Sequence, residues 1–372
     1  MRITRSMMVK NMEYWAAKQL ENLNDASTVV ASGKQINKPS NDPTAAKQIM
    51  EDRVTISAYG QYESNIDNAE TWVETSNTTL DTVYSLLQEA EELFTSQSSA
   101  DDASSVDYSD ELEQIYNQVI SYANSMYGSN YMYSGNQGNI LSFSNSVEVS
   151  GGVSTNILFD LAAAASDLTI EITDSSGAVV RTLTVTGGVE GTNTITWDGC
   201  NDDGNPLADG DYDFTVSAED EEGNAVAVFP SYRGDEGGKE VITGVGSVMT
   251  LNNNGGEIFS RALKVLSQAL TALKDADSDT DLSSDLGSAL KEAASRIKTE
   301  EVKLANMSTQ LDNAYNHLDQ LTEYLSERVS DLETGSSEQA VIELESQQTA
   351  YETTLAAAAD VLKMPTLKDY LS

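Results

Sequence analysis

Few residues of this chain have the side chains that catalysis requires. Among 372 residues there is one histidine, His317, and one cysteine, Cys200. His317 could act as a base or a metal ligand, but it lacks the second histidine or the cysteine partners that a zinc site requires. A lone cysteine excludes an intramolecular disulfide, and we interpret Cys200 as a thiol in a turn rather than a reactive nucleophile.

An acid-rich segment at residues 198–213 raises the question of calcium binding. An EF-hand loop has oxygen ligands at alternate positions, glycine at position six and glutamate at position twelve. Counted from Asp198, Cys200 and Asp203 occupy positions three and six, so the pattern fails. Turn-forming Asp and Asn residues are the preferred interpretation. A phosphate-binding Gly-rich loop, G-x-S-x-G and H-E-x-x-H are also missing, so we predict no cofactor, no metal and no enzyme activity.

The charge of the chain is strongly acidic and unevenly distributed. The formal net charge is −39, residues 61–146 contain fourteen acidic and no basic residues, and residues 147–230 contain sixteen acidic residues and only Arg181 as a base. Without a basic patch, nucleic acid and anionic membrane surfaces are excluded as partners. The N-terminal residues lack the apolar run of a secretory signal, and no window predicts a membrane span.

A turn-rich segment, "SGKQINKPSNDP" at residues 32–43, interrupts two helical patterns near the start of the chain. Gly33 suits a left-handed C-cap, and Pro39 and Pro43 cannot continue a helix. Asp42 is then the N-cap of the next helix, with Pro43 at its first position. The segment is therefore predicted to be a hinge between two helices.

Both ends of the chain carry weak coiled-coil seams, in which apolar residues recur in steps of three and four. The seams include Gln19, Ala26, Gln348 and Ala358, and neither helix is expected to be stable alone, because such helices depend on tertiary packing. The ten residues predicted to form the assembly interface of these helices are Val9, Met12, Ala16, Leu23 and Val30 near one end and Val341, Leu344, Tyr351, Leu355 and Leu362 near the other.

Longer helices and a β module lie between the two ends. Heptads predict a long helix from Pro43 to about Ser96, with Gly60 as its one weak point, a shorter helix around Tyr108–Met126 and an amphipathic helix opened by "GGEIF". A further seam from Leu304 to Leu325 ends at "ETGSSE", residues 333–338. From residue 147 to 230 the period changes to two, with Gly/Asp/Asn turns, which predicts an inserted antiparallel β-sandwich.

Several of these segments resemble one family. The hinge "SGKQINKPSNDP" and the C-terminal "ELESQQTAYETTLAAAADVLKMPTLKDYLS" resemble flagellins and flagellar hook-associated proteins. "GSNYMYSGNQGNILSF" at 128–143, "SYRGDEGGKEVITGVGSVMTLNNNGGEIF" at 231–259 and the ending "LKDYLS" are similar to the hook–filament junction proteins, the hook-associated protein 3 (FlgL) family. The sequence of the insert, "ITDSSGAVVRTLTV…WDGCNDDGNPLADGDYDFTVSAEDEEG", resembles the immunoglobulin-like module of the flagellar hook-capping protein.

The resemblance implies a fold, a location and a set of partners. We expect a mainly α, flagellin-like protein: a terminal coiled coil from residues 1–40 and 336–372, a long antiparallel helix bundle from 41–146 and 231–335, and an immunoglobulin-like insert at 147–230. It implies export through the flagellum without a cleaved signal peptide, and terminal helices that are disordered until they pack. The implied partners are copies of itself in a junction ring, the second hook-associated protein, flagellin and an export chaperone.

Two alternatives remain at this stage. One is a filament-forming or minor flagellin, against which the ending and the Tyr131–Gly135 motif argue. The other is a surface adhesin whose sandwich binds glycans, with Trp197 and Tyr212 as stacking residues if they are exposed. Their alternating strand positions favour a place in the core instead.

Overall fold

The computed structural model describes residues 5–98, 108–151, 153–251, 254–274 and 280–363. The predicted ending "LKDYLS" lies outside these residues. Helices occupy six stretches of them: α1 (Arg5–Ser32), α2 (Pro43–Ser98), α3 (Ser109–Ala123), α4 (Gly255–Lys274), α5 (Thr280–Glu333) and α6 (Ser337–Lys363). Among the residues described, no helix is long and apolar enough to cross a lipid bilayer.

The strands lie between α3 and α4. They are β1 (Met126–Tyr127), β2 (Asn130–Tyr131), β3 (Ser146–Val149), β4 (Thr155–Leu161), β5 (Ala165–Thr173), β6 (Val179–Gly188), β7 (Gly191–Trp197), β8 (Gly210–Glu219), β9 (Val228–Pro230), β10 (Lys239–Gly244) and β11 (Ser247–Leu251). Long helices with an inserted antiparallel β domain confirm the predicted fold class.

The β module is a sandwich of two antiparallel sheets. One has the strand order β3-β8-β5-β6 and the other β7-β4-β9. In β5, Leu168, Ile170 and Ile172 point into the core because successive side chains of a strand face opposite sides. Phe159 of β4 and Trp197 of β7 meet them from the second sheet, and both are fully buried.

The two ends of the sandwich are held close to each other and to α4. Phe143, before β3, and Tyr232, after β9, form an antiparallel bridge. Arg233 donates from its guanidinium to the carbonyl of Ser146 at 2.7 Å. On α4, the Ser267 hydroxyl donates to the carbonyl of Val228 at 2.7 Å, and Lys264 pairs with Glu190 at 2.8 Å. The insert is thus joined to the helical framework by more than its two chain connections.

Contacts divide the chain into two compact units. One unit falls within residues 1–64 and 315–372, and the other within residues 65–314. The first contains α1, α6, the first part of α2 and the last part of α5. The second contains the remaining parts of α2 and α5, the helices α3 and α4, and all the strands.

In the second unit, aromatic residues and glycines pack closely together where the chain returns from the strands to α4. The buried Tyr133 hydroxyl lies 3.0 Å from the Ser76 hydroxyl, and its ring meets Phe259 edge to face. Burial raises the pKa of Tyr133 to about 12. The Tyr133 carbonyl accepts the Gly255 amide at 2.8 Å and the Tyr232 hydroxyl at 2.9 Å. The predicted 128–143 and 231–259 motifs therefore meet around one buried tyrosine.

Gly255→Ala is predicted to destabilise the second unit. A Cβ at position 255 would lie 2.6 Å from the carbonyl oxygen of Tyr133, which belongs to a packed backbone. Such overpacking costs about 1–3 kcal/mol of unfolding free energy. We expect a lower urea midpoint in a denaturation curve followed by circular dichroism.

Gly60→Ala provides the contrast, since a Cβ there meets nothing within 4 Å and the residue lies inside α2. Its higher helix propensity should raise stability by about 0.5–1 kcal/mol. An unchanged midpoint for Gly255→Ala would show that the close approach of α4 to Tyr133 is not a real constraint.

Candidate assembly interface

The hinge between α1 and α2 has defined caps at both ends. Gly33 adopts a left-handed φ of 69°, and its amide donates to the carbonyl of Val29 at 2.9 Å. At the other end, one carboxylate oxygen of Asp42 accepts the amides of Thr44 at 2.9 Å and Ala45 at 3.0 Å. Pro43 is the first residue of α2, where its missing N–H is not needed.

Pro39 lies between these caps, in a turn of residues 38–41. The Asn41 amide donates to the Lys38 carbonyl at 3.0 Å, and the Lys38 amide donates to the Asn41 side-chain oxygen at 2.8 Å. The Lys38 ammonium also pairs with Asp25 of α1 at 2.7 Å. The hinge is therefore an ordered turn that contacts the preceding helix.

The terminal helices α1 and α6 pack against each other in an antiparallel arrangement. Gln35 meets Glu333 at one end of the pair, and a cavity of about 280 Å³ beside it is lined by Ala26 and Val29 of α1 and by Ala340 of α6. Ala26 is buried, whereas α6 contributes no buried residue at all. The pair therefore has only a thin apolar seam.

The structure divides the ten residues that the sequence placed on one interface. Six are partly buried along the seam: Val9, Met12, Ala16, Leu23, Leu344 and Tyr351. Four are exposed: Val30, Val341, Leu355 and Leu362. Their places in the seam are taken by the preceding residues, Val29, Ala340, Thr354 and Val361, which are partly buried. The apolar surface of each helix is therefore wider than one seam, and part of it faces away from the partner helix.

Other apolar side chains on α1 and α6 were not in the predicted set. Trp15 is 54% exposed and Ile342 is 66% exposed, and Met7, Tyr14 and Leu20 are exposed as well. These residues are not at the heptad positions of the predicted seams, so the periodicity of the sequence alone does not identify them as interface residues. Large exposed apolar side chains concentrated on two paired helices are typical of a surface that another chain covers.

Ion pairs join α2 and α5 inside the first unit. The nearly buried carboxylate of Asp52 accepts two hydrogen bonds from the Arg328 guanidinium, one of them at 2.7 Å from Nε. This hydrogen bonding lowers the pKa of Asp52. Next to it, Glu333 pairs with Lys34 at 2.7 Å and with Arg53. These partners are far apart in sequence, so no local pattern predicts them.

The two aromatic residues considered for glycan stacking, Trp197 and Tyr212, have structural roles in the sandwich. The Trp197 side chain is fully buried and donates to the carbonyl of Cys200 at 3.0 Å, and the buried Tyr212 donates to the carbonyl of Ala208 at 3.0 Å. Neither aromatic ring offers a stacking surface, so the proposed glycan-binding residues are core residues. In the part of the chain that the structure describes, no cluster of three or more His, Cys, Asp or Glu residues could hold a metal ion.

The acid-rich loop uses its polar side chains to form turns. Asp198 accepts the Cys200 amide at 3.0 Å, and Asn201 accepts the amides of Asp203 at 3.1 Å and Asn205 at 2.8 Å. His317 is exposed on α5.

Comparison with known proteins identifies two segments of the chain. Residues 3–138 match the bacterial flagellin N-terminal helical region, and residues 144–222 match the FlgD Ig-like domain. The basal-body rod modification protein FlgD of Escherichia coli is 40% identical over 70 residues, which are 18% of this chain and 30% of that protein. The chain thus covers less than a third of this curated relative.

One solved structure extends the likeness over most of the fold. A protein assigned as a flagellar hook-associated protein from Vibrio parahaemolyticus superimposes with a TM-score of 0.52 at 14% identity, over 79% of this chain and 100% of that one. FlgL of Bacillus cereus is 15% identical, with a TM-score of 0.35 over 73% of this chain and 98% of that one.

Together, these matches define a chain that combines segments similar to two kinds of flagellar protein. More particularly, a helical region of the flagellin type is followed by an immunoglobulin-like domain of the FlgD type. That domain is inserted between helices of the same chain.

Asp52→Asn is predicted to weaken the first unit at neutral pH and to flatten its response to acid. The pKa of Asp52 is lower in the folded state, so its contribution is present above the unfolded pKa of about 3.9 and is lost as pH falls through the folded pKa. Unfolding free energies from urea curves between pH 7 and pH 3 measure this dependence.

Glu51→Gln is the matched control, because the pair of Glu51 with Lys47 is exposed and 3.6 Å long and should contribute little. If Asp52→Asn and wild type have the same pH dependence, the Asp52–Arg328 pair does not stabilise the fold.

Proposed function

We propose that this chain is a structural subunit of the bacterial flagellum that forms the junction between hook and filament. The observation that carries the proposal is the apolar surface of α1 and α6 that their own pairing leaves exposed. A stable helix pair buries its apolar residues, yet α6 buries none and leaves Val341, Ile342, Leu355 and Leu362 in solvent. Copies of the chain packed side by side would cover this surface.

The ten predicted residues act together in this proposal. The six partly buried residues hold α1 against α6, and the four exposed ones contact neighbouring subunits. The hinge of Gly33, Pro39, Asp42 and Pro43 turns the chain from the terminal coiled coil into the long helices. The work of the protein is packing, and it needs neither a cofactor nor an enzyme site.

The flagellin-type segment and the fold-level likeness to a hook-associated protein support a location in the flagellum. The resemblance of residues 128–143 and of the ending to junction proteins favours a ring over a filament. The partners would be copies of this chain, the second hook-associated protein and flagellin, with an export chaperone before assembly. Export would follow the flagellar route without a cleaved signal peptide.

Deletion of the gene tests this function directly. Electron microscopy of the cells should show hooks without filaments, and flagellin should be found in the medium. Filaments of normal length would refute the junction role. Loss of filaments without flagellin in the medium would instead indicate that this chain is itself the flagellin.

Leu355→Asp is predicted to abolish assembly while the β-sandwich stays folded. Leu355 is 44% exposed in the single chain, and a carboxylate there would be desolvated when a neighbour covers it. Complementation of the deletion strain and circular dichroism of the purified variant measure the two effects.

Leu355→Met keeps the apolar character and nearly the volume of the side chain, so it should complement like wild type. Normal filaments with Leu355→Asp would show that this face of α6 is not in the interface.

A further inference from the structure

Two helix C-termini meet at the hinge, and each requires partners that its own helix does not supply. The last carbonyls of a helix have no hydrogen-bond donor within it, and this end carries a partial negative charge. Neither α1, ending at Ser32, nor α5, ending at Glu333, has a basic residue in its last turn. Both ends therefore depend on groups from elsewhere in the chain.

Three consecutive residues, Gly33, Lys34 and Gln35, serve both ends. The Gly33 amide donates to Val29 in the last turn of α1 at 2.9 Å, and the Gln35 amide donates to the carbonyl of Glu333 at 2.6 Å. Between them, Lys34 forms an antiparallel bridge with Thr334, the residue after α5. The hinge thus begins as a cap shared by two helices.

The Glu333 side chain adds an electrostatic connection to this cap. Its carboxylate is only 10% exposed and lies at the negative end of α5, where an acidic group is unfavourable unless it is paired. One oxygen pairs with Lys34 at 2.7 Å, and the other pairs with Arg53. A single carboxylate therefore joins the hinge, α2 and the end of α5.

Neighbouring ion pairs extend the connection. Asp52, next to Arg53 on α2, binds Arg328 of α5. Lys38 of the hinge binds Asp25 of α1 at 2.7 Å. All of these residues belong to the first compact unit.

We propose that Glu333 is a positioning residue that, with Gly33–Gln35, couples the order of the hinge and the end of α1 to the end of α5. When an uncharged side chain replaces the Glu333 carboxylate, Lys34 and Arg53 lose their shared ion-pair partner, and the shared cap opens at both helix ends together. Because Lys34 and Arg53 are about half exposed, salt also weakens the connection. The proposal concerns the folded chain alone and does not depend on the junction function.

Amide hydrogen exchange of the full-length chain tests the coupling. The two peptides to compare cover residues 28–40, which contain the end of α1 and the hinge, and residues 326–336, which contain the end of α5. Glu333→Gln keeps the shape of the side chain but removes its charge. We expect exchange to become about tenfold faster in both peptides, with no change in strands β5 and β8.

Asp331→Asn is the matched control, because it removes an exposed carboxylate from the same last turn of α5. It should leave exchange in both peptides unchanged. In wild type, raising the salt concentration should accelerate exchange in the two peptides, and this acceleration should be smaller in Glu333→Gln.

Three results would overturn the proposal. Acceleration in 326–336 alone would show that Glu333 stabilises only its own helix. Equal acceleration throughout the chain would show a general loss of stability. Complete exchange of residues 28–40 at the first time point in wild type would show that the cap does not order the hinge.

Discussion

The terminal helices of this protein lack a core of their own, and much of the design follows from that constraint. Amphipathic helices in water depend on the apolar surface that they bury. Among the side chains that the structure describes in α1 and α6, one is buried, that of Ala26, while tryptophan, tyrosine and isoleucine side chains face solvent. Their stability as a pair must come from elsewhere. The hinge contacts provide part of it within the chain, and neighbouring subunits would provide the rest.

The second unit meets the opposite condition, because its helices and sandwich are well packed. The ring of Tyr133 lies against Phe259, and the Gly255 and Gly256 backbones approach Tyr133 and Tyr232 at distances that a side chain would not allow. This packing fixes the chain where it leaves and re-enters the helices. The same chain therefore combines a closely packed unit with terminal helices that bury little.

Sequence patterns predicted the regular elements better than the contacts between them. Proline, glycine and aspartate at the hinge are strong local signals for where a helix ends and the next begins. In β5 and β8, apolar and polar residues alternate one by one, which is a clear signal for a strand. Strand β4 gave a weaker signal, because its apolar residues run directly into an alanine-rich stretch at 162–165. At four positions of α1 and α6, the partly buried residue is the one before the predicted residue, since the helices have apolar residues beside the seam as well as in it.

The long-range ion pairs could not be predicted in the same way. Arg53 and Glu333 are 280 residues apart, much farther than the residues of a local motif. Only folding brings them together. The same is true of Asp52 and Arg328. A sequence shows that such residues are charged, but the choice of partner is made by the packing of α2 against α5.

The bridge between Phe143 and Tyr232 has a consequence for how such a protein can diversify. The chain enters and leaves the inserted domain through paired residues, so the two ends of the insert lie as close together as the ends of a short loop. A domain of another size, with its own termini close together, could replace the sandwich at this point, with loss of the contacts that Ser267 and Lys264 of α4 make with it. The attachment point is an insertion site for a domain. The surface that the inserted domain presents can change there, in evolution or by engineering, while the helices remain the same.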